Sequence, residues 1–343
     1  MTSHRNGGPP LALTQGDPAG IGLEIAVRAW LDRKERRLPP FLLVADPAAV
    51  RRAAALFDAA DAVAECQPED AGVLFESRLP VMPTGHAGAA PFGVPDPATA
   101  PGTIGSIDLA VRLVQAGRAR GVVTNPIAKA VLYDAGFAHP GHTEYLAALA
   151  AHLWGIPEPL PVMLLWSQDL AVVPVTIHVP LRRVPSLLTT DLIVRTGQVV
   201  AADYASRFAR PSARIAVAGL NPHAGEGGAL GAEDDAVVRP AVDRLREMGI
   251  DARGPLPADT MFHARARTGY DVALCMYHDQ ALIPIKTLAF DDGVNCTLGL
   301  PFVRTSPDHG TAFDIAGKRL ARPDSLVAAL HLADRLCAGG VAS

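Results

Sequence analysis

Residues Ala273–Lys286 read ALCMYHDQALIPIK, and the character of the chain changes midway through them. The apolar run Val272–Met276 is strand-like, but it ends in Tyr277-His278-Asp279-Gln280, with Lys286 further on. A buried strand that runs out into titratable groups has left the sheet at that point. The same transition recurs along the chain. Strand-like runs are expected at Leu11–Thr14, Phe41–Val44, Gly121–Thr124, Val162–Leu165, Val172–Ile177, Ile215–Leu220, Val272–Met276 and Cys296–Leu300. Helical patterns lie between them, clearest at Asp191–Arg207, Asp235–Met248 and Ser325–Cys337. Strand and helix in alternation predict an α/β fold with a largely parallel sheet covered on both faces. In such sheets ligands sit beyond the carboxyl ends of the strands, where the polar residues of this chain gather. The Pro/Gly/Ala-rich stretch Pro83–Gly105 reads as a long loop or a lobe boundary.

The chain has 343 residues, enough for two lobes or one large α/β unit. Hydrophobic residues make up 49% and aromatics 5%, and mean hydropathy is +0.19, so there is ample aliphatic surface to bury. A formal charge of −4 and a pI near 6.2 give no electrostatic reason to expect nucleic acid or an anionic membrane surface. No apolar run approaches the ~18–20 residues that cross a bilayer. The opening MTSHRNGGPP lacks the apolar centre of a signal peptide. Cys66, Cys275, Cys296 and Cys337 are scattered without a C-x-x-C pair, which favours reduced thiols. The expectation is a cytoplasmic protein.

Three histidines follow apolar runs: His178 in PVTIHVPL, His223 in GLNPHAGEGG and His278 in MYHDQ. They are too far apart for a local motif and could converge only through the fold. Three neutral imidazoles suit zinc or another divalent transition metal; equally, each could be an ordinary hydrogen-bonded histidine at a strand exit. The glycines around His223 and Glu226 allow close backbone approach to a ligand. LTQGDPAGIGLEI, ending at Ile25, reads as strand, tight turn and helix start, yet it is neither G-x-G-x-x-G nor a phosphate loop with its lysine. In VVTNPIAKAVLYDAGFAHPGHTEYLA, Asn125 and Lys129 flank one helix start, and His142 and Thr143 stand at another. A phosphate or carboxylate could be held there, or the residues could simply cap helices. Lys286, Asn295, Arg304, Asp308 and His309 follow in the last third, where Arg and Lys together can take an anion. A phosphate acyltransferase or a non-catalytic sugar-phosphate binder would use the anion loops but not the three histidines.

Taken in order, TQGDPAGIG, TNPIAK, HPGHTEYL, GLNPHAGEGG, GPLPADTMF, MYHDQALIPIK and GVNCTLGLPFVRTSPDHGTAFDIAGK resemble the 4-hydroxythreonine-4-phosphate dehydrogenase family of pyridoxal phosphate biosynthesis over nearly the full length. The resemblance implies a two-lobed α/β/α fold like that of isocitrate and isopropylmalate dehydrogenases, with the active site in the inter-lobe cleft at a homodimer interface. The expected lobes are 1–145 plus 300–343, and 146–299. It implies that His178, His223 and His278 bind one divalent metal (zinc, magnesium or cobalt) shared between subunits. Substrate contacts fall on His142, Thr143, Lys286, Asn295 and Arg304. Catalytic or supporting roles fall on Lys286, Asp279 and Asp259. NAD or NADP would meet His309, Gly310, Thr311 and Asp314. The implied reaction oxidises 4-phosphooxy-L-threonine at C3, and the product loses CO2 to give 3-amino-2-oxopropyl phosphate. Two departures, TNPIAK for P-x-H-K and TLAFDDGVN with its two acids, leave room for a related substrate such as threonate or erythronate 4-phosphate, or a dihydrodiol carboxylate.

Overall fold

The computed structural model describes residues 8–86, 88, 90–139 and 141–339; the first seven residues of the signal-peptide reading lie outside them. Twelve strands form: β1 Leu11–Thr14, β2 Phe41–Ala45, β3 Val63–Glu65, β4 Leu79–Pro83, β5 Val122–Val123, β6 Val162–Trp166, β7 Ala171–Thr176, β8 Ile215–Ala218, β9 Ala252–Leu256, β10 Val272–Tyr277, β11 Val294–Leu298 and β12 Arg304–Pro307. The chain divides into two compact units, one of Met1–Pro159 with Leu300–Cys337, the other built on Leu160–Gly299.

In the first unit the strand order is β3-β4-β2-β1-β5-β12, and every pair is parallel. Leu11–Thr14 and Phe41–Ala45 are buried at every position, so they read as continuous apolar runs and not as alternation. Ala12, Leu42, Val44 and Val122 pack against Ile107, Ala110 and Val111 of the helix Ala100–Gln115, and against Leu146, Ala147 and Ala150 of the helix His142–Trp154. Alternation sends Leu11, Leu13, Leu43 and Val123 to the opposite face, where they are also fully buried.

The second unit has the order β11-β6-β7-β10-β8-β9. Here β6 runs antiparallel to both β11 and β7, while β7, β10, β8 and β9 are parallel. Four adjacent strands therefore present their carboxyl ends on one edge, which fixes the placement of the candidate residues below. The sheets are mostly parallel, as alternating elements require. The four cysteines are free. Among the described residues no helix is long and apolar enough to cross a membrane.

Several expectations shift. The lobe break placed at 145/146 falls inside the helix His142–Trp154, which ends at left-handed Gly155. Leu146, Ala147, Leu149 and Ala150 anchor that helix in the first unit's core, and Trp154 stacks on Phe302 at 5.5 Å. Division accordingly comes after Pro159, with return at Leu300. The stretch expected as a loop, Pro83–Gly105, already contains the start of the helix Ala100–Gln115. Asp235–Met248 is a π turn, Asp234–Val238, followed by a helix, Arg239–Glu247. Leu146 is fully buried, so Leu146→Ala should lower stability by roughly 2–5 kcal/mol. A shift of the urea midpoint checks this; an unchanged midpoint would mean that the helix does not belong to this core.

Candidate active site

The second unit gathers the histidine-bearing segments through strand register. Thr176 pairs with Tyr277, and the Thr176 hydroxyl donates to the Met276 carbonyl at 2.7 Å, closing the β7–β10 ladder at its carboxyl end. His178 and His278 leave the sheet side by side there, with ring centroids 5.6 Å apart and planes inclined by 46°. Asp279 Oδ1 lies 2.7 Å from His278 Nδ1. An ionised carboxylate only accepts, so Nδ1 carries the proton and the lone pair is left on Nε2. This is how a metal-ligating histidine and its orienting carboxylate are arranged.

His223 follows β8, the next strand, and Asp259 follows β9 in the turn Ala258–Thr260. The loop that carries His223 is unusual. His223, Ala224, Gly225, Glu226 and Gly227 all have left-handed backbones, although three of them bear a Cβ. Each such residue costs about 1–2 kcal/mol and persists only where its surroundings impose it. Asp234, fully buried, accepts from the backbone N–H groups of Leu220 and Asn221 and from Asn221 Nδ2 at 2.7–3.1 Å. At Gly225 a Cβ would stand 3.1 Å from that of Asp234, so the turn closes tightly over the carboxylate. Gln280 joins the two histidine loops: its Oε1 accepts from Met276 N and its Nε2 donates to Gly219 O, both at 2.7 Å. Within one chain, however, no group of three or more His, Cys, Asp or Glu side chains gathers at metal-binding range among the described residues. The structure brings His178 and His278 together but does not add His223 to them.

Lys286 lies in the last turn of the helix His278–Leu288. His278, Asp279, Leu282, Ile283, Lys286 and Thr287 line an open hollow of about 430 Å³ along this helix. Eight residues of helix separate His278 from Lys286 by about 12 Å, so they occupy opposite ends of the hollow. Lys286 Nζ sits 5.6 Å over the Phe290 ring. Ile283, Leu288 and Phe290 are exposed, Phe290 to 75%, so one apolar face adjoins the donors. Asn295 on β11 is level with Leu165 of β6, itself level with Val172 at the amino end of β7. In a single subunit it is therefore at the other end of the strands from His178.

The first unit places the remaining residues in two groups. Arg304, 4% exposed at the start of β12, donates through Nε and Nη2 to the Thr124 hydroxyl at 3.2 and 2.7 Å. His142 and Thr143 open the helix His142–Trp154, whose first amides favour an anion. His142 Nε2 is closed off from solvent and has no partner among the described residues. Burial first, then Arg304 and Lys129, hold its imidazole well below the usual 6.5. The second group follows β1 and β12. Thr311 O accepts from Ile21 N at 3.0 Å, and a Cβ on Gly20 would meet that same oxygen at 2.8 Å. Glu24, fully buried, accepts from Gly317 N at 2.8 Å, and burial raises its pKa. TQGDPAGIG and HGTAFDIAGK thus interlock, and the Ile21 amide at the helix start is taken by protein. Around this clasp His309 and Thr311 are partly exposed, while Gly310 and Asp314 are exposed.

Gln280, Asp234 and Glu24 were not singled out by sequence as site residues, and Lys129 was noted only as flanking a helix start. Asp234 and Glu24 act through backbone groups distant in sequence, and Gln280 through one distant carbonyl and one amide four residues back, whereas Lys129 carried a signal, a cation at a helix start. Folding shuts the His142 imidazole away from protons, whereas the unfolded chain protonates it as pH falls through 6.5. The unfolded state then binds more protons, so stability drops below that pH, on the order of 1 kcal/mol per unit, until the depressed folded-state pKa is passed. Urea midpoints across this range should fall less steeply in His142→Gln; parallel profiles would refute the assignment.

The family model of pyridoxal phosphate biosynthetic protein PdxA matches residues 37–333. A 4-hydroxythreonine-4-phosphate dehydrogenase of Xanthobacter autotrophicus is 59% identical over 327 residues, covering 95% of this chain and 93% of that protein. The crystal structure of a 4-hydroxythreonine-4-phosphate dehydrogenase from Klebsiella pneumoniae superposes with a TM-score of 0.83 at 34% identity, covering 96% and 98% of the two chains. A terephthalate 1,2-cis-dihydrodiol dehydrogenase structure from Burkholderia xenovorans gives 0.64 at 27% identity, covering 95% and 98%.

Proposed function

The chain belongs to the PdxA family of pyridoxal phosphate biosynthetic proteins, and from that premise we propose that it oxidises 4-phosphooxy-L-threonine at C3 with NAD or NADP. The product, 2-amino-3-oxo-4-phosphooxybutanoate, then loses CO2 to give 3-amino-2-oxopropyl phosphate. That the protein is an oxidoreductase follows from relatives close to 60% identical over nearly its whole length. The observation that carries the finer reading is the His178–His278 pair, with Asp279 on His278 Nδ1, at the carboxyl ends of adjacent parallel strands.

In this reading His178, His223 and His278 hold one divalent ion, zinc, magnesium or cobalt, with donors drawn from two subunits. The chemistry such an ion supplies when bound is Lewis acidity towards the C3 oxygen, as the hydroxyl is oxidised and again as CO2 departs. Asp279 fixes the ring of His278, and Asp259 is a further positioning carboxylate. Lys286, which lies about 12 Å along the helix from His278 of its own subunit, provides a cation that moves the hydroxyl proton or pairs with the substrate carboxylate; a kcat–pH profile of Lys286→Met separates these roles. Hydride passes from C3 to the nicotinamide, and His309, Gly310, Thr311 and Asp314 receive the adenosine end of the cofactor. His142, Thr143 and Arg304 take the phosphate, and Asn295 is a further polar contact of the substrate. Support for a homodimer comes from the exposed face of Ile283, Leu288 and Phe290, which adjoins donors that do not form a triad within one chain.

Purified enzyme should form reduced nicotinamide from 4-phosphooxy-L-threonine faster than from threonate or erythronate 4-phosphate, and only with a divalent metal present. His223→Ala should lower turnover at least about a hundredfold and reduce bound metal, measured by elemental analysis, with the circular dichroism spectrum unchanged. Full turnover by chelated, metal-free enzyme would defeat the mechanism.

A further inference from the structure

We propose that Lys129 is a substrate-specificity residue: it reads the second negative charge of a phosphate monoester at the mouth of the helix His142–Trp154. The inference rests on the proposed function and adds to its phosphate contacts, His142, Thr143 and Arg304, a residue that responds to the charge of the phosphate.

Lys129 is exposed and opens the short helix Lys129–Asp134. A cation in a first turn does nothing for its own helix, because the amino end is already positive. No carboxylate among the described residues lies within the 4.0 Å of an ion pair with it. Its side chain reaches instead towards Gly141, the residue that caps the helix His142–Trp154. A Cβ on Gly141 would stand 3.6 Å from Lys129 Nζ and 2.8 Å from Glu144 Oε2. Gly141 has an extended backbone, φ −172°, which any residue adopts, so what glycine contributes here is space. That space lies between the Lys129 ammonium group and the Glu144 carboxylate, at the start of the helix His142–Trp154.

The charge around the opening is unbalanced. Lys129 and Arg304 are both close enough to oppose protonation of His142, and Glu144 is the carboxylate in that helix's first turn. Of the groups placed there among the described residues, Lys129 and Arg304 are permanent cations and Glu144 is a carboxylate. A monocarboxylate ligand brings one negative charge, whereas a phosphate monoester near pH 7 brings about −1.5 to −2 and three acceptor oxygens. Arg304, buried and held on Thr124, supplies a fixed fork, and Lys129, on a flexible stem, supplies a point charge that follows the remaining oxygen. His142 stays neutral and adds hydrogen bonding without adding charge.

The test uses full-length enzyme with inorganic phosphate as one probe and acetate as the other, in wild type, Lys129→Met and Lys129→Arg. Binding is read by titration calorimetry, and steady-state rates with 4-phosphooxy-L-threonine are measured alongside. Lys129→Met should weaken phosphate binding about tenfold or more and raise KM by a similar factor, with kcat within about twofold. Lys129→Arg should restore most of the loss, and acetate binding should differ little among the three proteins. Because Lys129 is exposed, all three should unfold at the same temperature. If Lys129→Met binds phosphate as wild type does, the inference is overturned while the proposed reaction stands. If wild type reduces no nicotinamide with the phosphorylated substrate, the proposed reaction fails, and the phosphate titration still judges Lys129. If wild type does not bind phosphate at all, the inference is overturned, and nicotinamide reduction alone judges the proposed reaction.

Discussion

The parallel pairing of β7 with β10, closed at its carboxyl end by the hydrogen bond from the Thr176 hydroxyl to the Met276 carbonyl, determines where the chemistry of the second unit can be. A slip of one residue would turn every side chain of β10 to the other face and carry His278 away from His178. Fully buried apolar strands resist such a slip, and the polar residues just beyond them inherit that fixed position. Gln280 then extends the order sideways, tying the start of the helix His278–Leu288 to the carbonyl of Gly219, where the His223 loop begins.

Much of this was legible in the chain because buried parallel strands are composed so distinctively. Leu11–Thr14 matched to the residue, and seven further strands were found to within a few. The strands that escaped had reasons to. β4 reads LPVMP, and two prolines argue against a strand, yet the structure seats it between β3 and β2. β9 contains Gly254 and Pro255, and β3 is only three residues long. The loop expected over Pro83–Gly105 hid a helix start because Pro101 and Gly102 sit in the first turn, where proline is tolerated.

The candidate site divided in the same way. Residues with strong chemistry, the three histidines, Lys286 and Arg304, stand out by type and position. Those that hold them do not: Asp234 acts on backbone amides thirteen and fourteen residues away, and Glu24 meets Gly317 across nearly the whole chain. Contacts of this kind have no local signature. The first unit depends on them as much as the second, because the clasp between TQGDPAGIG and HGTAFDIAGK is made of backbone groups and one buried carboxylate.

The left-handed run at His223 has a consequence for how the protein tolerates change. His223, Ala224 and Glu226 would each relax to an ordinary backbone if released, so the imidazole is aimed by neighbours that never touch a reacting atom. Sensitivity to mutation at this loop is therefore displaced: a chemically silent aspartate in the next turn governs where the imidazole of His223 is held. Drift that spared every reactive group could still silence the enzyme through that one carboxylate.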